Sequence, residues 1–194
     1  MLSLADVAEV KVDWSKDLLV DQTFKGLTVR FNTAGIAFDA DGLGSGASAT
    51  STLCLVNVGG FADQRVTGIV KWIAPSTAVA HEVGVVARSQ TVEVAGETDY
   101  YFARIDNGVA KLTRVLGGVF SNLAQSAFVL PINTTATVTL TCVGDAISAS
   151  FDAGGSPATV NLASIDANIP DAGLMGFKSI SSTIACSSIQ AEEL

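Results

Sequence analysis

The sequence predicts an all-β sandwich, and two features of the chain support this prediction. Apolar and polar residues alternate with a period of two along much of its length, whereas sustained helical periodicity is nearly absent. Turn sequences such as Asp106-Asn107-Gly108 and Gly144-Asp145 separate the alternating segments at intervals of roughly ten residues. These features predict two packed antiparallel sheets, with fewer than about a tenth of the residues in helices.

Four alternating segments lie between residues 66 and 115. They span residues 66–72, 83–88, 100–105 and 111–115, and each contains β-branched or aromatic residues, which favour strands. Asn107-Gly108 lies between the last two segments. Because this dipeptide tolerates the positive φ that a tight hairpin requires, we expect those two segments to pair.

A hairpin over residues 137–151 is the clearest local prediction. Apolar residues alternate with threonines along 137–142, Gly144-Asp145 supplies a turn, and the apolar face resumes from Ile147 to Phe151. The threonines are expected on the solvent side. We expect the core of the sandwich to contain Val66, Val70, Trp72, Val85, Leu140, Ile147, Phe151 and Leu174.

Two segments differ from this pattern. Residues 39–51 are rich in Gly and Ser and predict a flexible loop. Residues 1–20 are predicted to form an amino-terminal arm, separate from a single domain over 21–194. The arm is too apolar for a free tail, so we expect it to mediate assembly; the alternative is that it packs along its own sandwich as an edge strand or short helix. The apolar residues of the arm are Leu2, Leu4, Val7, Val10 and Val12.

Composition excludes several classes of function. The 194 residues include 11 Lys and Arg against 19 Asp and Glu, so the net charge is −8 and a nucleic-acid partner is not expected. No apolar run approaches the roughly 18 residues of a membrane span, and Asp6 and Glu9 interrupt the segment where a secretory signal would run. Cys54, Cys142 and Cys186 are far apart and predict buried thiols rather than a zinc site or a disulfide framework.

Acidic residues give only weak signals of a catalytic or metal site. Asp39-Ala-Asp41-Gly resembles the opening of a calcium loop, but no closing Glu follows. Glu97 and Asp99 have the i, i+2 spacing that could bring two carboxyl groups together, as a retaining glycosidase needs. They lie beside a turn at Gly96, however, and together with Glu93 they are better interpreted as a solvated loop edge. The single His81 has no nucleophile motif nearby. We therefore predict no catalytic residues, no metal and no cofactor.

Four aromatic residues could stack on the apolar faces of sugars. Trp72 shares a strand face with Val66 and Val70, which favours the core for it. Tyr100 and Tyr101 point to opposite faces, so at most one of them faces a groove, and Trp14 lies in the arm.

From about residue 63 onward, the order of these segments resembles the concanavalin A-like (laminin-G-like) jelly-roll sandwich, especially the versions found in bacteriophage virion proteins. The matching pieces are 63–72, the G-x-x-A-R strand ending at Arg88, the Tyr-Tyr-x-x-Arg strand ending at Arg104, segment 111–115, the 138–151 hairpin, the Gly173-x-x-Gly176 segment and a closing strand to Leu194.

The resemblance implies a fold more than a function. Its bacteriophage versions imply a non-enzymatic virion structural protein, such as a capsid decoration, minor head or tail component, located in the virion and bound to other virion proteins as a homo-oligomer. A carbohydrate-binding, lectin-like module that binds glycans is the alternative, and a glycoside hydrolase is the third reading. The E-x-D-x-E pattern of the family's glucanases is absent. Arg88 and Arg104 match recurrent positions, with no role expected beyond orienting neighbours.

Overall fold

The computed structural model describes residues 61–71, 82–90, 99–180 and 189–194 in full, and elsewhere the backbone of the strands. The described strands are β1 (Val10–Asp13), β2 (Thr23–Phe24), β3 (Leu27–Asn32), β4 (Ile36–Asp39), β5 (Gly42–Ser45), β6 (Ser51–Asn57), β7 (Gln64–Pro75), β8 (Glu82–Ser89), β9 (Tyr100–Asp106), β10 (Val109–Leu116), β11 (Val119–Ala127), β12 (Thr135–Val143), β13 (Ala146–Asp152), β14 (Val160–Ile165), β15 (Leu174–Ile180) and β16 (Ser182–Glu193).

These strands form two eight-stranded sheets. The first has the order β14-β13-β12-β7-β16-β5-β4, with β1 also paired to β16, and the second has the order β11-β10-β9-β8-β15-β6-β3-β2. Each described pairing is antiparallel. The predicted all-β sandwich of two antiparallel sheets is therefore confirmed, and no described residue belongs to a helix that could span a membrane.

The core lies between the two sheets, and its composition follows the period-two alternation. Along β12 and β13 the alternating apolar residues from Ala136 to Cys142 and from Ile147 to Phe151 are buried, and the intervening threonines and serines face outward. Asn107 and Gly108 have φ values of 47° and 82°, as the predicted tight turn requires. Of the predicted core, the buried members are Val66, Val70, Val85, Leu140, Ile147 and Phe151.

The other two residues of the predicted core are Leu174 and Trp72. Leu174 is only half-buried, because it packs on the opposite face of the second sheet rather than between the sheets. The side chain of Trp72 lies outside the described residues.

The thiol of Cys142 is buried, as predicted, and its burial raises its pKa to about 12. The side chains of Cys54 and Cys186 are outside the described residues.

The prediction of a flexible loop over 39–51 is wrong for Gly42–Ser45. This segment is β5, which pairs with β4 on one side and with Ile184–Cys186 of β16 on the other. Backbone hydrogen bonds to two neighbours hold the strand despite its glycines, so tertiary pairing overrides a composition that disfavours strands.

The amino-terminal arm also differs from the expected boundary at residue 20. Val10 and Val12 lie in β1, opposite Ala191 and Ile189 of β16, and both of these partners are buried. This part of the arm therefore extends a sheet of the sandwich, as the edge-strand alternative supposed, because the open edge of β16 offers backbone hydrogen bonds. The remaining apolar residues of the arm, Leu2, Leu4 and Val7, lie outside the described residues, and an assembly role for the arm stays a prediction.

Candidate functional site

The second sheet has two different faces. One face packs against the first sheet, and the opposite face carries a smaller apolar cluster of Val86, Tyr100, Phe102 and Val115, with Leu174 beside it. The four clustered side chains are buried. Side chains on this opposite face become accessible at β11, the strand that ends the sheet.

Phe120 is the exposed aromatic residue of this face among the described side chains. It is 40% exposed and lies opposite Val115 of β10. Asn122, two residues further along β11, is also exposed and lies opposite Thr113. Because residues i and i+2 of a strand share a face, Phe120 and Asn122 present a ring and an amide side by side.

The amide of Asn122 has a fixed orientation. Its Oδ1 accepts hydrogen bonds from Arg104 Nη2 at 3.2 Å and from the Thr113 hydroxyl at 3.1 Å. Arg104 Nε in turn donates to the Thr113 hydroxyl at 3.2 Å. Since a guanidinium can only donate, the amide oxygen must face Arg104, and the NH₂ group of Asn122 is directed away from these partners.

Arg104, below Phe120, belongs to a group of charged side chains in which Arg104 and Glu82 are buried and Asp106 and Lys111 are half-buried. Arg104 forms an ion pair with Glu82, and Lys111 Nζ lies 2.5 Å from Asp106 Oδ2. Arg104 also lies 4.0 Å from the Asp106 carboxylate. Its guanidinium carbon is 5.2 Å from the centroid of the Phe120 ring, within the range of a cation–π contact.

Lys178 is the second cation below the same ring. Its side chain is buried, with 5% of the residue exposed, and Nζ lies 5.3 Å from the Tyr100 ring centroid and 5.6 Å from that of Phe120. Burial lowers the pKa of Lys178 to about 8; the Glu82 charge opposes this shift and the Arg104 charge adds to it. Among the described side chains no carboxylate forms an ion pair with this ammonium.

Gly84 lies on the strand between the two cations and places no side chain between them. In the sheet register Gly84 lies between Arg104 of β9 and Lys178 of β15. A Cβ at this position would overlap the Ala103 carbonyl oxygen. We call Phe120, Asn122, Thr113, Arg104 and Lys178 the Phe120 site.

Arg88, the other arginine singled out by the sequence, lies elsewhere and has a structural role. It is 1% exposed and has a positive φ of 51° at the end of β8. Its guanidinium donates to the carbonyl oxygens of Ala62 at 2.6 Å, Gly144 at 2.9 Å and Ile169 at 3.0 Å. Arg88 thus holds three loops together, which agrees with the expectation that it orients its neighbours.

The acidic candidates do not form a site among the described residues. The Asp99 carboxylate accepts a hydrogen bond from the backbone N–H of Gly117 at 2.7 Å and so supports the turn between β10 and β11. Glu93, Glu97, His81 and Asp41 lie outside the described residues, and Asp39 is described only as the backbone of β4. Within the described part of the chain, no group of three or more His, Cys, Asp or Glu side chains could hold a metal ion.

Tyr100 and Tyr101 lie on opposite faces of β9, as predicted. Tyr100 and Tyr101 are both buried, and the hydroxyl of Tyr101 reaches Asp166 at 2.9 Å. The side chains of Trp14 and Trp72 lie outside the described residues. Sequence reasoning missed Phe120, whose one signal is its position two residues after Gly117-Gly118, in a segment without charged residues.

Comparison with solved structures places this architecture among known folds. The chain is similar to the carbohydrate-binding module CBM66 from Bacillus subtilis (TM-score 0.69, 18% identity, 87% of this chain and 96% of that one). It is also similar to basic winged bean lectin bound to Tn-antigen (0.68, 9% identity, 95% and 98%) and to the Crh5 transglycosylase bound to NAG (0.62, 13% identity, 96% and 84%).

No protein family and no curated protein matches the chain by sequence. Identities of this size support a common architecture and leave the ligand and activity of this chain open. The sandwich, its two antiparallel sheets and these similarities together establish that the chain has the concanavalin A-like jelly-roll fold.

Proposed function

We propose that this chain is a carbohydrate-binding protein and that the Phe120 site contacts the glycan. The observation that carries the proposal is the pairing of an exposed Phe120 ring with the oriented Asn122 amide on one strand face. An aromatic face suits the apolar face of a pyranose, and the outward NH₂ group can donate to sugar hydroxyls. The carbohydrate ligands in the names of two similar structures, Tn-antigen and NAG, support this choice.

Glycan array screening followed by calorimetry tests the proposal. We expect Phe120→Ala to weaken binding of the best glycan by about tenfold or more, because the stacking surface is lost. Val119→Ala is the matched control: Val119 is 67% exposed on the same strand but points to the other face. Unchanged affinity in Phe120→Ala, or no binding to any glycan of a broad array, would overturn the proposal.

Binding without catalysis is part of the proposal. The two carboxylates described near the site, Glu82 and Asp106, are each held by a cation, Arg104 and Lys111 respectively. Both carboxylates are thus engaged in ion pairs within the protein. Incubation with β-glucans, alginate and host polysaccharides should release no reducing ends; turnover that disappears in Glu97→Gln or Asp99→Asn would overturn this part.

A structural role in a virion, as a homo-oligomer bound to other virion proteins, remains a second candidate. One observation favours assembly: β11 ends its sheet and its nine residues include no charged residue and no proline. Such an edge lacks the features that normally prevent pairing with another strand. If this edge assembles, the paired substitution Val119→Lys and Gln125→Lys should shift the sedimenting species to monomer. A wild-type protein that sediments as a monomer and does not co-purify with particles would remove this candidate.

A further inference from the structure

We propose that the Phe120 site selects glycans that carry an acidic sugar, such as a hexuronate, over neutral glycans. The inference rests on the proposed carbohydrate-binding function and names its ligand class. It is carried by the two buried cations under the exposed ring, Arg104 and Lys178.

The charges beneath the ring do not balance. Glu82 offsets Arg104, and Asp106 offsets Lys111, both through close ion pairs. Lys178 is left without a carboxylate partner among the described side chains, so the described side chains of this part of the face carry one positive charge in excess. A buried cation without a partner carries a desolvation penalty, and an anionic ligand would offset it.

The geometry directs this charge toward the ligand position. The two cationic groups lie 5.2 Å and 5.6 Å from the Phe120 ring centroid. A sugar stacked on the exposed side of the ring is therefore separated from them by little more than the ring itself. Because the medium between them is largely protein, an anionic substituent there is screened less than one in bulk water.

The exposed polar group of the site favours the same ligand. The Asn122 oxygen is already occupied by Arg104 and Thr113, so the group it offers outward is a donor. A carboxylate consists of acceptors only, which matches this donor and the positive charge below.

The site also contrasts with the rest of the molecule. The chain as a whole has a net charge of −8, which disfavours an acidic ligand at long range. At about 0.1 M salt, charges beyond about 10 Å are largely screened, so the local excess at Phe120 decides the interaction. A neutral sugar stacked on Phe120 would need neither Lys178 nor the charge excess.

The test compares hexuronate trisaccharides of gluco, galacto and manno configuration with their carboxyl-reduced, neutral counterparts. Titration calorimetry at 0.05 M salt should show at least one acidic trisaccharide binding about tenfold more tightly than its neutral counterpart. Lys178→Met should abolish the difference, and Lys178→Arg should retain it. Arg65→Met is the matched control, because Arg65 is an exposed cation on the first sheet, paired with Glu192.

The outcomes separate the two proposals. Equal or tighter binding of the neutral forms would overturn the acidic preference and leave the carbohydrate-binding function intact. An acidic preference that persists in Lys178→Met, or one that disappears in Arg65→Met, would overturn the assignment to this site. If neither the trisaccharides nor any glycan of a broad array binds, both proposals are overturned. Circular dichroism of each variant establishes that the sandwich is retained.

Discussion

The Tyr101 hydroxyl donates a hydrogen bond to the Asp166 carboxylate across 2.9 Å, and this contact ties the inner face of β9 to the loop after β14. The carboxylate also accepts from the backbone and side-chain amides of Asn168, both at 3.0 Å, and lies 2.7 Å from Arg114 Nη1. Burial raises the pKa of Asp166, but these hydrogen bonds and the Arg114 charge outweigh it and hold the pKa below its usual range.

Acid should therefore weaken the fold through Asp166. A carboxyl group whose folded-state pKa is lowered stabilises the protein fully above its unfolded pKa of about 3.9, and this stabilisation is lost as the pH falls through the folded value. We expect Asp166→Asn to reduce the free energy of unfolding by about 2 kcal/mol at pH 7 and to flatten its pH dependence below about pH 4. Urea denaturation from pH 2 to 7 measures both; a variant as acid-sensitive as the wild type would contradict the assignment.

Lys178 should destabilise the fold in its charged form, whereas the charged form of Asp166 stabilises it. Its pKa is lowered to about 8 by burial and by Arg104, with Glu82 opposing. Below pH 8 the amine is charged in both the folded and the unfolded protein, and its buried charge destabilises the fold. As the pH rises toward the pKa of about 10.4 that lysine has in the unfolded chain, the free energy of unfolding increases by up to about 3 kcal/mol. Tyr100, which faces it, does not titrate in this interval, because burial first and Glu82 second raise its pKa.

Lys178→Met should accordingly raise the melting temperature at pH 7 and remove the increase between pH 8 and pH 10. Thermal denaturation monitored by circular dichroism at several pH values checks this expectation. Lys178→Arg should remain charged across the interval and show no such increase. A methionine variant less stable than the wild type at pH 7 would show that the ammonium is satisfied in the folded protein.

Arg88 should be required for folding stability rather than for ligand binding. Arg88→Leu leaves the carbonyl oxygens of Ala62, Gly144 and Ile169 without their donor. We expect a loss of about 3 kcal/mol, from several lost hydrogen bonds to a charged group. Arg88→Lys should recover only part of it, because an ammonium cannot reproduce the planar fork of the guanidinium. Full recovery with lysine, measured by urea denaturation, would mean that the charge alone suffices.

Gly84 should tolerate no side chain. A Cβ would overlap the Ala103 carbonyl oxygen of the neighbouring strand, and backbone cannot move aside as a flexible side chain can. We expect Gly84→Ala to cost about 3 kcal/mol or more. Gly117→Ala, in an open turn with φ of 53° and no atom near the added methyl, should cost only about 1 kcal/mol. Similar losses in the two variants would contradict the close approach of β8 and β9.

Deletion of residues 1–13 decides what the amino-terminal arm does. Because β1 pairs with Ser188–Ala191, its removal exposes the edge of β16, and we expect the melting temperature to fall by about 5 °C. A truncated protein that keeps its melting temperature but loses oligomerisation or particle binding would instead support the assembly role expected from Leu2, Leu4, Val7, Val10 and Val12. Differential scanning calorimetry and sedimentation on the same samples separate these results.

Local patterns predicted the parts of the fold whose determinants are local. The hairpin of β12 and β13 and the Asn107-Gly108 turn follow from alternation and from backbone preferences of neighbouring residues. The strand β5 could not be predicted in this way. Besides its local pairing with β4 it pairs with β16, whose residues are about 140 positions away, and this pairing overrides its glycine-rich composition. The Phe120 site escaped prediction for a related reason: β8 and β9 are buried on both faces, so alternation does not distinguish the core side from the side that bears Arg104.

The three loops joined by Arg88 have a consequence for engineering the molecule. The Arg88 guanidinium donates to the carbonyl oxygens of Ala62, Gly144 and Ile169. A change in the length of one of these loops would therefore shift the guanidinium and disturb its hydrogen bonds to the other two. Peptide insertion, loop grafting and circular permutation at this end therefore have to preserve all three loops together. The loop between β13 and β14 has no such restraint: its glycines at 154 and 155 have open space around them. We expect this loop to tolerate an inserted sequence better than the three loops that Arg88 joins.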